Sequence, residues 1–246
     1  MWLVKQSVVV LITALCLLNG GAPLAYGQSA KLTFRLGQVE ARSSAQSTWR
    51  PVKLSQLFAQ GDTLRTGRES RAELTFTDGS VVRVSEQSRI AIKKLTGSGT
   101  AQQRGLTVLI GKIWTNAVKF LSGASTLTVE SPTTVAAIRG TVYRMTVAEQ
   151  ATTEIRVYNG EVGVTPAAPP AAPSTTPERP GMLREPKDVA GPRDVTLGQW
   201  LEIVRSMQRI VVMPDGTRQV NDFSPTEEAT EDWVKWNQSR DRQLNR

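Results

Sequence analysis

An all-β fold is predicted by three features of this sequence: apolar and polar residues alternate in short runs, glycine-centred turn signals separate those runs, and Val and Thr are plentiful while aromatics are sparse. The architecture expected is a sandwich or roll of short antiparallel strands, with a β-solenoid as the alternative, because short strands at irregular spacing can hide a repeat. One α-helix is expected at the C-terminus. The 246 residues suffice for one large or two small domains with a sizeable core.

Taken in order, residues 1–27 read as a secretory signal peptide. Lys5 supplies the positive start, Val8 to Leu18 the apolar run, and Ala25-Tyr26-Gly27 the small-x-small cleavage site, with cleavage expected before Gln28. That apolar run falls short of the ~20 residues a helix needs to span a bilayer; an uncleaved anchor is the lesser reading. Cys16 is the only cysteine, and Leu15 before it stands where a lipidation signal needs a small residue. The mature chain is therefore expected to hold no thiol, no disulfide and no membrane span, and to be periplasmic or secreted.

Residues 28–164 form the expected β domain. Leu32 to Ala41 alternates as a first strand, and Trp49 to Val52 reads as a short edge segment, since proline cannot donate within a ladder. Thr63 to Thr66 resumes extended structure after Gly61-Asp62. Arg71, Glu73, Thr75 and Thr77 then alternate with Ala72, Leu74 and Phe76, and beyond Asp78-Gly79 the residues Val82 and Val84 alternate with Val81, Arg83 and Ser85. An Asp-Gly pair between such runs predicts a type I′ hairpin turn. Ile90 and Ile92, then Leu106 to Val118 bent at Gly111, then Leu127 and Val129 extend the β region. Ser131 to Met145 is an apolar run broken by Arg139-Gly140-Thr141 and reads as a tight bend between two strands. Asn159-Gly160 reads as a second two-residue hairpin turn, before Val162 and Val164.

At residues 165–194 the composition shifts to Pro, Ala, Ser and Thr, which predicts an extended linker or excursion. Residues 195–222 hold a terminal hairpin expected to pack on the β domain, with strands at Trp200 to Val204 and Ile210 to Met213 and a turn signal at Asp215-Gly216. Residues 223–246 switch to helical spacing. Ser224 is the predicted N-cap, Pro225 the first helical residue and Glu227 the residue reaching back to the cap, while Ala229, Trp233, Trp236 and Arg240 share a face that should dock on the rest.

A formal charge of +8 and a pI near 10.0 predict attraction to anionic surfaces. Histidine is absent and the mature chain would lack a thiol, which excludes Cys/His and Ser/His/Asp catalysis and thiolate zinc sites. Neither a Walker-type loop nor calcium-loop spacing is present, so no cofactor and no metal are expected. Carboxylates such as Asp62, Asp78 and Glu130 leave a polysaccharide-acting enzyme as the weakest reading, because Asp62, Asp78 and Asp215 sit in turns where Asp is wanted structurally. Arg71, Arg83, Arg89 and Lys93 should project from the solvent face of adjacent strands. They form either an ordinary solvated face or a basic binding face for an envelope protein or anionic glycan, and export argues against nucleic acid. Arg139 lies in an apolar strand and is expected to be a buried anchor for the bend, so that its removal should first cost stability. Trp49, Trp114 and Trp200 read as packing residues ahead of sugar-stacking platforms.

Three segments, in order, resemble the FecR protein domain family. Gly61-Asp62-Thr63-Leu64-Arg65-Thr66-Gly67 followed by Ala72 to Ser80 and Val84 to Ile92 is similar to its opening GD-x-L-x-T-G pattern and its strand ending in DGS. Thr128 to Tyr143, with Ala136-Ala137-Ile138-Arg139-Gly140-Thr141 at its centre, is similar to the family's most diagnostic segment, and Glu154 to Val164 to its closing strand pair. The resemblance spans roughly residues 36–164, and the run from Trp233 to Arg242 is similar to the tail of stand-alone exported members. It implies a periplasmic, mainly β domain without catalysis. In well-known members that domain belongs to a membrane regulator that senses an occupied siderophore transporter and controls a sigma factor. This chain is expected to depart from that plan, with a signal peptide where those members have a cytoplasmic segment and a transmembrane helix after it. The implied role is an exported binding module for a protein or glycan partner, or a signalling component acting in trans with a membrane-bound anti-sigma or transporter system. Asp78, Gly79, Arg139, Gly140 and Thr141 carry over as motif positions without an assigned role.

Overall fold

The computed structural model describes residues 29–98, 101–117, 126–167, 201–228 and 230–244. The expected signal peptide, most of the expected linker, Trp200 and Ala229 lie outside the described residues. Seventeen strands are present among them: β1 (Ala30–Leu36), β2 (Val39–Arg42), β3 (Arg50–Pro51), β4 (Leu57–Phe58), β5 (Thr63–Thr66), β6 (Arg71–Phe76), β7 (Val81–Val84), β8 (Arg89–Ser98), β9 (Ala101–Asn116), β10 (Thr126–Glu130), β11 (Thr134–Ile138), β12 (Val142–Val147), β13 (Thr153–Asn159), β14 (Glu161–Pro166), β15 (Glu202–Arg205), β16 (Gln208–Val212) and β17 (Arg218–Asp222).

Strand pairing sorts them into two layers. Sheet A runs β4-β1-β6-β7-β9-β12-β13-β16-β17. Sheet B runs β3-β2-β5-β8-β9-β10-β11-β14-β15, with β9 and β10 the one parallel pair. The long strand β9 belongs to both: up to Ile110 it pairs in sheet B, and from Gly111 to Asn116 it pairs in sheet A. Gly111 makes the crossing, with φ +96° and so little room that a Cβ would lie 2.2 Å from Ser88 Oγ. Inward-facing Leu32, Leu74, Val84 and Met145 from sheet A meet Leu64, Ile90, Leu106 and Val164 from sheet B in one apolar core. The expected all-β architecture is present as this two-layered sandwich.

The glycine-centred turns divide between hairpins and corners. After β9 the chain lays strands in alternating pairs: β10 and β11 in sheet B, β12 and β13 in sheet A, β14 and β15 in sheet B, β16 and β17 in sheet A. Arg139-Gly140-Thr141 is the expected bend between two strands, here a corner where the chain crosses between layers; Asn159-Gly160, expected as a hairpin turn, is a second such corner. The Asp78-Gly79 hairpin is real, but only Gly79 has positive φ, at 86°. The Phe76 N–H bonds Ser80 O and the Gly79 N–H bonds Phe76 O, so the loop has three residues ending in a left-handed glycine instead of a type I′ turn. The loop at Asp215-Gly216 repeats this pattern, with bonds from Met213 to Thr217 and from Gly216 to Met213.

The C-terminal helical segment is broken in two, α1 (Pro225–Glu228) and α2 (Asp232–Leu244). Ser224 caps the first, accepting from the Thr226 N–H at 3.2 Å. Trp233 and Val234 of α2 pack with Trp114, and Tyr158 and Trp236 close around them on the outer face of sheet A.

Candidate functional site

The motif residues Arg139, Gly140 and Thr141 build one corner of a stack. Thr141 is buried and its hydroxyl donates to Glu161 O at 2.9 Å, tying the β11–β12 corner to the β13–β14 corner. The two corners touch so closely that a Cβ on Gly160, where φ is +85°, would fall 2.9 Å from Gly140 O. Ser206 at the β15–β16 corner donates to Gly160 O at 3.1 Å and adds a third layer. Arg139 itself is exposed, which corrects the expectation of a buried anchor: the β alternation that buries Ile138 turns its neighbour outwards, and Thr141 holds the bend. Arg139, Glu161 and Arg205 surround a shallow groove of about 740 Å³ floored by Ala137, Gly163 and Ile203.

The four basic residues expected on one face are not brought together. Arg83 does point away from the core, yet its side chain is fully buried, because α2 lies over it. One cross-strand row on the outside of sheet A reads Glu73, Arg83, Trp114, Arg144, Arg156, Arg209. Like charges directly opposite one another are unfavourable, and the C-terminal segment supplies the missing acids. Arg83 bonds Glu73 at 2.7 Å and Asp241 at 2.6 Å, and the Trp114 indole N–H donates to the same Asp241 at 2.9 Å. Arg144 pairs with Glu231 at 2.5 Å and Glu228 at 3.2 Å, Lys112 also pairs with Glu231, and Arg156 pairs with Glu228. Burial alone would raise the Glu73 carboxyl, but hydrogen bonds from Arg240, Arg83 and Thr33 outweigh it and hold its pKa below the usual glutamate value. Arg71, also on sheet A, lies 5.0 Å from the Trp236 ring and 5.4 Å from that of Trp233.

Arg89 and Lys93 belong to sheet B, on the opposite side of the molecule. Lys93 is exposed and lies 3.7 Å from Glu130. Arg89 is exposed and sits beside Trp49, whose half-buried ring also has Arg65 at 4.3 Å and Arg42 at 5.1 Å. The grouping of Trp49 with Arg42, Arg65 and Arg89 escaped sequence reasoning because the four residues come from three strands and a loop. The signal available was the alternation of Glu40 with Arg42 on the outer face of the same strand.

Among the carboxylates singled out, Asp78 accepts from the Ser80 N–H and hydroxyl and pairs with the largely buried Arg104, so it closes its own hairpin. Burial lowers the Arg104 guanidinium to about 10. Asp62 accepts from the backbone N–H groups of Ser44 and Ala59, which accounts for it as a loop residue. Among the described residues no group of three or more His, Cys, Asp or Glu side chains is placed to hold a metal ion, and no helix is long and apolar enough to cross a membrane.

The family model described as FecR protein matches residues 62–163, the stretch from the Gly61-Asp62 turn to β14. No curated protein matches the chain. Two crystal structures, at 1.65 Å and 2.50 Å, of a Parabacteroides distasonis ATCC 8503 protein described provisionally as an anti-sigma factor resemble it, each at 10% identity and a TM-score of 0.45. Each alignment covers 68% of this chain and 62% of the other, a likeness too slight to transfer a partner or a role. The match over the motif corners and both layers is the stronger finding: residues 62–163 match the FecR family model.

Proposed function

We propose that the protein is an exported, non-enzymatic FecR-type module of the bacterial cell envelope that recognises a protein or glycan partner. The observation that carries this reading is the use to which the family motif is put. Gly140, Thr141 and Gly160 are spent on crossing between layers, while Asp78 is tied to Arg104 and Ser80. The signature thus specifies a scaffold, and the groups it leaves facing outwards are suited to recognition. The predicted signal peptide supports an envelope location.

Photo-crosslinking from positions 139 and 205 in intact cells tests the proposal. One reproducible envelope partner is expected; recovery of the mature protein from the cytoplasm alone would overturn it. The FecR match also favours a narrower second reading, a signalling component that acts in trans on a membrane-bound anti-sigma or transporter system. That reading requires the crosslinked partner to be such a protein, and a partner that is only polysaccharide excludes it.

A further inference from the structure

We propose that Trp49, Arg42, Arg65 and Arg89 on the outer face of sheet B form a binding site for a carboxylated polysaccharide. The proposal rests on the reading of the protein as an envelope binding module and names the ligand and the place.

The cluster is built by strand register. Arg65 stands directly opposite Arg89 across β5 and β8, and directly opposite Glu40 across β2 and β5. Arg42 lies one row further along β2, and Trp49, next to the start of β3, brings its ring within 4.3 to 5.9 Å of all three guanidinium carbons. Arginines directly opposite one another repel, and the local acid answers only one of them: Glu40 pairs with Arg65 at 2.8 Å. Among the described residues neither Arg42 nor Arg89 makes an ion pair. The same sequence matches Arg83, Arg144 and Arg156 on sheet A with Asp241, Glu228 and Glu231, and no described element covers Trp49. A concentration of like charge that the fold leaves unanswered at one place and neutralises at another is accounted for by an external anion.

The type of anion follows from the remaining chemistry. Guanidinium groups held against an indole keep their in-plane N–H groups directed outwards, which fits the two oxygens of a carboxylate. The part of the half-buried Trp49 ring that the guanidinium groups leave uncovered offers an apolar surface for the C–H face of a pyranose. A peptide strand would need backbone donors at the sheet margin, but β3 is the outermost strand of sheet B and Pro51 has no N–H to give. Side-chain recognition of a ring bearing a carboxylate, repeated along a chain, satisfies all three conditions.

Titration of the purified full chain with polygalacturonate at physiological ionic strength, with neutral dextran, dextran sulfate and polyglutamate in parallel, tests the site. Polygalacturonate should bind best and neutral dextran not at all. Trp49→Ala and the double variant Arg42→Ala/Arg89→Ala should each weaken binding roughly tenfold, about 1.4 kcal/mol. Removing equal charge elsewhere, with Lys31→Ala/Arg35→Ala, should leave it unchanged. The double variant replaces exposed side chains and keeps the test open should Trp49→Ala fail to fold. Absence of polygalacturonate binding, equal binding of dextran sulfate or polyglutamate, or indifference to both site variants overturns the proposal. An envelope partner that Trp49→Ala still captures overturns the site and leaves the module intact, whereas fractionation of the protein away from the envelope removes the module reading whatever the titration shows.

Discussion

The outer faces of the two layers carry arginines on neighbouring strands and treat them in opposite ways. On sheet A, Arg83, Arg144 and Arg156 lie beneath α1 and α2 or beside them, each matched by carboxylates from Glu73, Glu228, Glu231 or Asp241. On sheet B, Arg42 and Arg89 stay exposed around Trp49 with one nearby acid already engaged by Arg65. Alternation along a strand tells which residues leave the core. Whether they then meet water or a second layer of protein is decided by what a distant segment brings over them, here residues 72 positions after Arg156, 87 after Arg144 and 158 after Arg83. The same residue type is structural on one face and available for recognition on the other.

Removing an arginine from each face separates the two situations. Arg83→Ala leaves Glu73 and Asp241 buried without their shared partner and should cost about 3–5 kcal/mol in urea unfolding; a loss below ~1 kcal/mol would mean that the covered face is not organised by these pairs. At the corner between the faces, Gly160→Ala puts an L-residue at φ +85° with its Cβ against Gly140 O and should cost about 2 kcal/mol. Wild-type stability in that variant would show that the corners can shift apart.

Acid should affect the covered face first. The native pKa of Glu73 is held below the ordinary 4.5, so the native state binds fewer protons than the unfolded one; the stability this contributes is present above that value and is lost as pH falls through the lowered one. Glu231 shifts in the same direction, its burial outweighed by Lys112 and Arg144. Unfolding followed from neutral pH down through the acid range should show a decline below pH 4.5 that Glu73→Gln makes shallower. An unchanged acid slope would assign the effect to other carboxylates. Smallest of all, Arg139→Ala and Arg42→Ala change exposed side chains and should each move the unfolding free energy by no more than about 0.5 kcal/mol; a larger change from Arg139 would restore its reading as an anchor.

Much of the β architecture was legible because period-2 alternation survives in strands such as β1, β10, β11 and β13, and Ser224-Pro225 marked the helix start. Local turn chemistry was a poorer guide. Asn159-Gly160 has the composition of a two-residue hairpin turn, but that composition specifies only a backbone able to take positive φ, and a corner between layers needs the same freedom. Conversely, β12 and β13 are joined by a hairpin that ends at Ala151 with φ +64°, a position no glycine announced. The basic face was misjudged for a related reason: Arg71 and Arg83 share the outer face of sheet A, but Arg89 follows a corner that carries it to the other layer. The Trp49 cluster depends on register across three strands, which local pattern does not encode.

The double membership of β9 has a mechanical consequence. Among the described residues, every strand pairing between β1–β8 and β10–β17 is made through β9, so the halves of the chain lie to either side of it in both layers. Pulling the halves apart would strip the edge of β9 over Gln103–Thr107 in one layer and Gly111–Asn116 in the other, and α2 resists by reaching back to Phe34, Glu73 and Arg83 in the first half. A chain cut between β9 and β10 would leave the first fragment holding an unpaired edge in each layer, shaped to receive the second, and the C-terminal helix would then serve as the latch that closes the reassembled pair.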